Sequence, residues 1–155
     1  KGLYRQVYSK TPEPGPAYVM PFGKARIVRP GTDVTIVAWG RTVHMAQQAL
    51  GALAAAGGEP SAEIIDIRTI VPLDMETVLA SVRKTGRCVV ASQAVLIGSF
   101  VNEIVARIQL EAFDDLDGPV GRIGAANGIS PQAEVLERAF LPHADDIVRA
   151  VVAIT

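Results

Sequence analysis

The sequence has little cysteine and no excess of charge, and each shortage excludes a class of protein. Cys88 is the single cysteine among 155 residues, so no internal disulfide can form, and an unpaired thiol suits a reducing cytoplasm. The formal net charge is -1, which provides no basic field to attract nucleic acid or an anionic membrane. We therefore predict a cytoplasmic protein that binds neither.

Long hydrophobic runs and a signal peptide are also missing, which argues against a membrane protein. Hydrophobic residues nonetheless make up 49% of the chain, and the mean hydropathy is +0.28. These values predict a folded domain with more apolar surface than it buries alone. We expect other subunits to cover part of that surface, in a homodimer or larger oligomer. The chain opens Lys1-Gly2-Leu3-Tyr4 without a methionine, which predicts a fragment of a longer protein.

Residues 1–24 differ in character from the rest of the chain. Prolines and glycines in this segment disfavour a helix and favour an extended strap. We expect its aromatic side chains to dock on a neighbouring surface; they are Tyr4, Tyr8, Tyr18 and Phe22. The predicted organisation is an inter-domain strap over residues 1–24 and one domain over residues 25–155.

From residue 25 onward, short apolar runs alternate with segments of helical periodicity. The runs predict strands over 25–29, 34–39, 62–67, 87–91 and 120–123. The other segments predict helices over 42–56, 73–82, 99–113, 133–139 and 144–154. Short strand-to-helix connections imply a parallel sheet with helices on both faces, and the tight Pro30-Gly31 turn makes the first strand antiparallel. The predicted fold is α/β, a three-layer α/β/α sandwich around a mostly parallel sheet of about five strands with one antiparallel edge strand.

Two local predictions accompany this fold. Asp74 is placed to cap the second helix, because aspartate accepts hydrogen bonds from free N–H groups in the first turn. In the third helix, Phe100, Ile104, Ile108 and Leu110 are predicted to lie largely on one apolar side.

The sequence contains few motifs or residues that could support catalysis. Gly40-Arg41-Thr42 lacks both the Walker and the dinucleotide spacing; its helix start could hold an anion, but a tight turn with a threonine cap is the favoured interpretation. Cys88 falls in a predicted buried strand and is interpreted as a small core residue, since an apolar setting raises a thiol pKa.

The histidines and the acidic run are interpreted structurally. No cysteine, histidine or glutamate stands at metal-ligand spacing from His44 or His143. Asp114-Asp115-Leu116-Asp117 is interpreted as a solvated acidic turn rather than a metal site, because it lacks further oxygen donors at loop spacing.

Ser92-Gln93 leaves two interpretations open. The pair follows a central strand and precedes a glycine-containing loop, at the position where open α/β sheets bind ligands in a crevice. Alternatively, these polar residues simply terminate the strand. The residues alone thus predict an α/β domain without a complete active site, and with no catalytic, cofactor-binding or metal-binding residue assigned.

Several segments together resemble the β subunit of the E1 component of thiamine-dependent 2-oxo acid dehydrogenase complexes, of the pyruvate, branched-chain 2-oxo acid or acetoin type. In chain order they are Pro21-Phe22-Gly23-Lys24-Ala25, Arg29-Pro30-Gly31-Thr32-Asp33, Ile65-Asp66-Ile67-Arg68-Thr69-Ile70, Lys84-Thr85-Gly86-Arg87, Gly98-Ser99-Phe100 and Leu141-Pro142. The resemblance runs in order from about Tyr4 to the carboxy terminus.

The resemblance implies the transketolase-like third domain of an oxidoreductase subunit. Thiamine diphosphate and Mg belong to the full enzyme and to its other domains, so this fragment alone is predicted to bind neither and to be inactive. The implied partners are the thiamine-binding domains of E1 α and β and the E2 dihydrolipoyl acyltransferase. For E2 docking, the resemblance points to Asp117 and to the terminal carboxylate of Thr155.

One departure and three alternatives remain. Many family members carry His-Glu where this chain has Ser92-Gln93, which leaves the subfamily and the 2-oxo acid undetermined. A stand-alone interaction module of the same fold is an alternative function. The corresponding domain of a transketolase or of a deoxyxylulose phosphate synthase is another.

Overall fold

The computed structural model describes residues 12–57 and 60–155. All predicted strands and helices are present. They are β1 (Arg26–Arg29), β2 (Val34–Ala38), α1 (Arg41–Ala55), β3 (Ala62–Asp66), α2 (Met75–Thr85), β4 (Cys88–Val95), α3 (Phe100–Glu111), β5 (Gly121–Ala125), α4 (Glu134–Phe140) and α5 (Ala144–Ile154), with a 3-10 turn at Phe113–Asp115. The largest difference from the prediction is at the end of β4, which reaches Val95 instead of the predicted residue 91.

The five strands form one sheet in the order β1-β3-β2-β4-β5. Strands β2, β3, β4 and β5 are parallel, while β1 pairs antiparallel with β3. The predicted antiparallel edge strand is therefore confirmed, although its partner is β3 and not the next strand along the chain. Gly31 makes this path possible, because it passes so close to the start of β3 that a Cβ there would lie 2.2 Å from the Ala62 carbonyl carbon.

Helices cover both faces of the sheet, which confirms the three-layer α/β/α sandwich. On one face, α1 and α5 pack over residues such as Ile36, Ile64 and Val89. On the other face, α2 and α3 pack over Val37 and Ile65. Both clusters consist of fully or nearly fully buried aliphatic side chains, so the hydrophobic effect stabilises the two layers around the sheet.

Because β2, β3, β4 and β5 run parallel, all four begin at one edge of the sheet and end at the opposite edge. The carboxyl edge, where β2, β3, β4 and β5 end, carries residues 39–41, 67–73, 96–99 and 126–143. The strap also reaches the carboxyl edge, because β1 runs in the opposite direction. The amino edge, where the same strands begin, carries residues 30–33, 60–61, 86–87 and 112–120. Since α5 starts at the carboxyl edge and packs along α1 and β5, it ends at the amino edge.

Of the two local predictions, the helix cap is confirmed and the apolar side of α3 is wrong at one residue. Asp74 caps α2 as predicted, since its Oδ1 accepts a hydrogen bond from the Thr77 N–H at 3.2 Å. Leu110, however, is 84% exposed, while Ile104 and Ile108 are fully buried. The prediction for Leu110 was wrong because successive helical residues are rotated by about 100°, which turns position 110 away from position 108.

The described part of the strap, residues 12–24, contains no helix or strand. The end of the strap is held against the domain by a hydrogen bond, which the Gly23 N–H donates to Thr69 Oγ1 at 3.0 Å. Tyr18 and Phe22 are exposed on this chain, and Tyr4 and Tyr8 lie outside the described residues. The domain boundary at residue 24 and the docking of these aromatics stay predictions.

None of the helices within residues 12–57 and 60–155 has the length and apolar character needed to cross a bilayer.

Candidate functional site at the edges of the sheet

Asp117 stands at the amino edge, in the loop that leads into β5. Its N–H donates to the Gly86 carbonyl oxygen at 2.8 Å, and its side chain is exposed. Gly86 ends α2 in the left-handed region, at φ 68°, and a Cβ there would lie 2.5 Å from Asp117 Oδ2. Because Gly86 has no side chain, the Asp117 carboxylate can lie close to the position that a Cβ would take.

Thr155, the other predicted docking residue, follows the last turn of α5. Its N–H and its Oγ1 both bond the Val151 carbonyl oxygen, at 3.1 Å and 3.0 Å. The direction of α5 brings Thr155 to the amino edge. The two docking positions, although 38 residues apart in the sequence, thus lie at the same edge of the sheet.

A cleft of about 450 Å³ opens at the carboxyl edge between the end of β2 and the segment joining α4 to α5. Its lining combines cationic, anionic and neutral polar groups: Arg41, Gln93, Glu134, Glu137, Arg138, Leu141, Pro142 and His143. Gln93 thus lines a crevice, which agrees with the interpretation that Ser92-Gln93 lies where open α/β sheets bind ligands. The mixed charge gives the cleft no clear preference for an anion or a cation.

Ser92 does not line this cleft. Its side chain is 2% exposed, and its Oγ accepts a hydrogen bond from the Ala94 N–H at 3.1 Å. The interpretation that Ser92-Gln93 terminates the strand was wrong, because β4 continues to Val95. An irregularity in the pairing of β4 with β5, between Ala91 and Val95, accommodates the two polar residues within the strand.

The start of α1 also differs from its prediction. Gly40 is the N-cap, at φ 58°, and no side chain caps the helix. The buried Thr42 hydroxyl instead lies 2.7 Å from the Trp39 carbonyl oxygen and 3.1 Å from the Ala91 carbonyl oxygen. Thr42 therefore joins the end of β2 to β4 at Ala91, the last β4 residue that pairs with β2. This role requires the pairing of the two strands and is invisible in the local sequence.

The remaining candidates have structural environments. Cys88 is fully buried and burial raises its pKa far above the ordinary value, so the thiolate needed for nucleophilic attack is not populated. His143 begins α5, and its Nε2 donates to the Arg138 carbonyl oxygen at 2.5 Å, which ties α5 to α4. His44 is half-buried within α1.

The acidic run does not form a metal site. Arg83 Nε lies 3.3 Å from Asp115 Oδ2, so one carboxylate already has a cationic partner. Within the part of the chain that the structure describes, no three His, Cys, Asp or Glu side chains are grouped as ligands for a metal ion. Among the described residues, therefore, no cluster of carboxylates offers a ready site for Mg, and no glycine loop with the Walker or dinucleotide spacing is found there.

Sequence reasoning missed an ion pair between a buried glutamate of β3 and a partly exposed lysine of α2. Glu63 is 2% exposed, and Lys84 Nζ donates to its Oε2 at 2.6 Å. Burial alone would raise the pKa of Glu63, but hydrogen bonds from Lys84, Ser81 and the backbone at Gly31 outweigh it, so the pKa is lowered. The signal was a glutamate in the apolar run over 62–67. The lowered pKa and the contact with Lys84 favour the ionised carboxylate, which is consistent with a structural role for the pair.

Among the described residues, every buried side-chain nitrogen or oxygen has a hydrogen-bond partner. The interior therefore presents no unsatisfied polar group to a ligand, and the features that are left for function lie on the surface.

With this geometry in place, comparison with known proteins gives the family. The model of the "Transketolase, C-terminal domain" family matches residues 23–147. The chain belongs to this family. Its mostly parallel five-stranded sheet, with helices on both faces, agrees with this assignment.

Curated relatives include β subunits of E1 components. The chain is 44% identical over 134 residues to "Pyruvate dehydrogenase E1 component subunit beta-2, mitochondrial" of Oryza sativa subsp. japonica, covering 86% of this chain and 35% of that protein. It is 42% identical to "Acetoin:2,6-dichlorophenolindophenol oxidoreductase subunit beta" of Cupriavidus necator, covering 88% and 40%. With the pyruvate dehydrogenase E1 β subunit of Bacillus subtilis the identity is 36%, covering 94% and 43%. The chain thus spans less than half the length of these relatives.

Solved structures agree with the transketolase C-terminal fold. A structure described as "Split gene transketolase, inactive beta4 tetramer" superposes with a TM-score of 0.74 at 28% identity, over 94% of this chain and 46% of that one. A 2-oxoglutarate:ferredoxin oxidoreductase from Magnetococcus marinus superposes with a TM-score of 0.53 at 16% identity, over 84% and 19%. The second likeness concerns the fold alone.

Proposed function

We propose that this chain is the assembly region of the E1 β subunit of a 2-oxo acid dehydrogenase complex, with roles in subunit association and in E2 docking. The similarity to E1 β subunits supports the enzyme class. The observation that carries the docking role is the placement of Asp117, whose exposed carboxylate stands over Gly86 at the edge where α5 ends. An exposed carboxylate at this edge suits a basic partner, because charge-assisted hydrogen bonds are strong and steer association.

The proposal assigns the thiamine-dependent chemistry to other parts of the enzyme. Oxidative decarboxylation of a 2-oxo acid and acyl transfer to the lipoyl group of E2 would take place on the thiamine-binding domains, with thiamine diphosphate and Mg. The partners of this region would be those domains and the E2 acyltransferase. This fragment alone would bind no cofactor and turn over no substrate, and its cytoplasmic location stays a prediction.

Replacement of Asp117 tests the docking role. In the intact enzyme, Asp117→Ala should weaken binding of the E2 subunit-binding domain at least tenfold, about 1.4 kcal/mol, because it removes a charged acceptor. Turnover of isolated E1 with an artificial electron acceptor should not change. Asp114→Ala, an exposed aspartate in the same loop, is the matched control and should bind E2 as the unmodified enzyme does. Equal E2 affinity for Asp117→Ala and the unmodified enzyme would reject the docking role.

A transketolase β subunit is the second candidate, because the superposition with the split-gene transketolase covers 94% of this chain at 28% identity. The same binding measurement separates the two. A transketolase has no lipoyl E2 partner to dock, so binding of the E2 subunit-binding domain supports the E1 assignment, and its absence under conditions that bind a known E1 favours transketolase.

A further inference from the structure

The cleft at the carboxyl edge lies where the connections of the sheet diverge. Strands β2 and β4 are neighbours and run parallel. The helix that follows β2, α1, packs on one face of the sheet, whereas the helix that follows β4, α3, packs on the other face. The chain therefore leaves these two strand ends in opposite directions, and such a switch point is where open α/β sheets bind ligands. Arg41, which begins α1, and Gln93 of β4 both line the cleft.

Arg41 brings a positive charge to this switch point. The residue is half-buried, and within residues 12–57 and 60–155 its guanidinium has no hydrogen bond or ion pair. A charged group that loses water without gaining a hydrogen-bond partner costs free energy. A ligand carboxylate would offset that cost, because its two oxygens match the fork of N–H donors on a guanidinium.

Helix α4 brings negative charge to the same cleft. Glu134 and Glu137 line it together with Arg138. Glu134 and Arg138 also line a second groove, of about 350 Å³, along α4, and Glu137 does not. In the part of the chain that the structure describes, the Glu137 carboxylate has no hydrogen bond or ion pair. It is therefore the group placed to receive a cation in the cleft.

A molecule that carries both charges satisfies both sides of the cleft. We propose that the cleft binds an aliphatic α-amino acid, whose carboxylate pairs with Arg41 and whose ammonium group pairs with Glu137. Gln93 can serve either group, because an amide both donates and accepts hydrogen bonds. Leu141 and Pro142 supply apolar lining for a short side chain. The volume of about 450 Å³ lies within the range of small-molecule sites.

This proposal goes beyond the proposed function and does not depend on it. E2 docking was assigned to Asp117 at the amino edge, whereas the cleft opens at the carboxyl edge. Asp117→Ala should therefore bind the amino acid as the unmodified chain does, even if it loses affinity for E2. The two proposals can fail separately.

L-Leucine is the probe for the unmodified 155-residue chain. Isocaproate has the same carbon skeleton without the ammonium group, and isoamylamine lacks the carboxylate. Amide chemical shifts followed by NMR during titration should give a Kd of about 0.1–1 mM for L-leucine, because the ligand is small and the cleft is open. The largest shift changes should fall at Arg41 and Gln93. Each analogue should bind at least tenfold more weakly, because it leaves one charged side of the cleft unpaired.

The unmodified chain alone can overturn the proposal. No shift changes at Arg41 and Gln93 with about 10 mM L-leucine would do so, since that concentration exceeds the expected Kd tenfold. Equal affinity for L-leucine and either analogue would also do so, because the cleft would then not recognise both charges.

Two substitutions assign the two charges to their residues. Arg41→Gln should bind L-leucine at least tenfold more weakly and should no longer prefer it to isoamylamine, because the carboxylate has lost its partner. Glu137→Gln should weaken L-leucine to a similar extent and should no longer prefer it to isocaproate. Arg107→Gln is the matched control, since Arg107 lies on α3 and does not line the cleft. Circular dichroism checks that all three variants are folded. If Arg41→Gln or Glu137→Gln keeps the affinity and the selectivity of the control, the proposal is wrong.

Discussion

The two edges of the sheet differ in how closely the chain packs where the same strands begin and end. At the amino edge, Gly31 precedes β2 and Gly86 precedes β4. A Cβ on Gly31 would lie 2.2 Å from the Ala62 carbonyl carbon, and one on Gly86 would lie 2.5 Å from Asp117 Oδ2. Both of these turns are therefore in close contact with another part of the chain.

At the carboxyl edge the corresponding glycines meet open space. Gly40 follows β2 and Gly98 follows β4, and a Cβ on either would have no neighbour within 4 Å. Apolar side chains stand exposed around them, including Val71 at 85%, Ile97 at 72% and Ile129 at 95%. Apolar surface of this kind marks an interaction site. The comparison therefore separates the edge that carries Asp117, where these two turns pack within the molecule, from an edge that leaves apolar side chains exposed for contact with another molecule.

The largest effect should come from the packed edge. Gly31→Ala places a methyl group against the backbone of β3, which cannot move without breaking its pairing with β2. Overpacking against backbone is among the costliest substitutions, and we expect a loss of more than about 3 kcal/mol in the free energy of unfolding. Urea unfolding followed by circular dichroism measures it.

Gly51→Ala is the control for this substitution. Gly51 lies in α1, and a Cβ there would meet nothing within 4 Å. Alanine in a helix should increase stability by about 0.5–1 kcal/mol. If Gly31→Ala were equally well tolerated, the close packing assigned to the amino edge would be wrong.

Lys84→Met should have an intermediate effect. It leaves the buried Glu63 carboxylate without its cation, and we expect a loss of about 2 kcal/mol at neutral pH, between the values for exposed and fully buried pairs. Because the folded pKa of Glu63 lies below its ordinary value of 4.5, the pair stabilises the fold above that pH and loses its contribution as pH falls through the folded pKa. The difference between variant and unmodified chain should therefore shrink on acidification.

Unfolding curves from about pH 3 to about pH 8 give this measurement. Lys24→Met serves as the control, because the Lys24–Glu76 pair is exposed, with side chains 61% and 89% accessible, and such pairs contribute about 0–1 kcal/mol. A stability difference for Lys84→Met that does not change with pH would contradict the role given to Glu63.

The smallest effects should distinguish the two glycines around β4. Gly86 and Gly98 have φ values of 68° and 72°, so alanine at either position should cost about 1–2 kcal/mol in backbone strain. Only Gly86→Ala also displaces the Asp117 carboxylate, so only it should weaken E2 binding in the intact enzyme. Binding titrations of the two variants test this difference. Equal E2 affinity of the two variants would show that the position of the Asp117 carboxylate does not affect docking.

The sequence was sufficient for the elements and the layers, because those depend on local periodicity and turn residues. It could not supply the sheet order or the contact between Gly86 and Asp117, since both depend on segments that meet only in the folded chain. The same limit explains Thr42, whose hydroxyl lies near the carbonyl oxygen of Ala91, 49 residues away. Leu110 is a different failure, because the helical rotation at that position was available from the sequence.

The candidate surfaces follow the same division. Resemblance supplied Asp117 and Thr155 but not their common edge, which follows from the direction of α5. The sequence alone also does not reveal that the rest of the described chain leaves Val135 and Leu136 of α4 exposed. Exposure is a property of the whole fold, and therefore it had to come from the structure.

The position of the Thr42 hydroxyl between β2 and β4 has a consequence for motion at the cleft. It links the end of β2 to β4 at Ala91, whereas α4, which supplies Glu134, Glu137 and Arg138 to the cleft, has no buried residue to hold it. Local opening is favoured where few apolar contacts must break. Amide hydrogens of Ala38 and Ala91 should therefore exchange slowly with solvent and those of α4 quickly, so that the α4 side of the cleft moves against a rigid sheet.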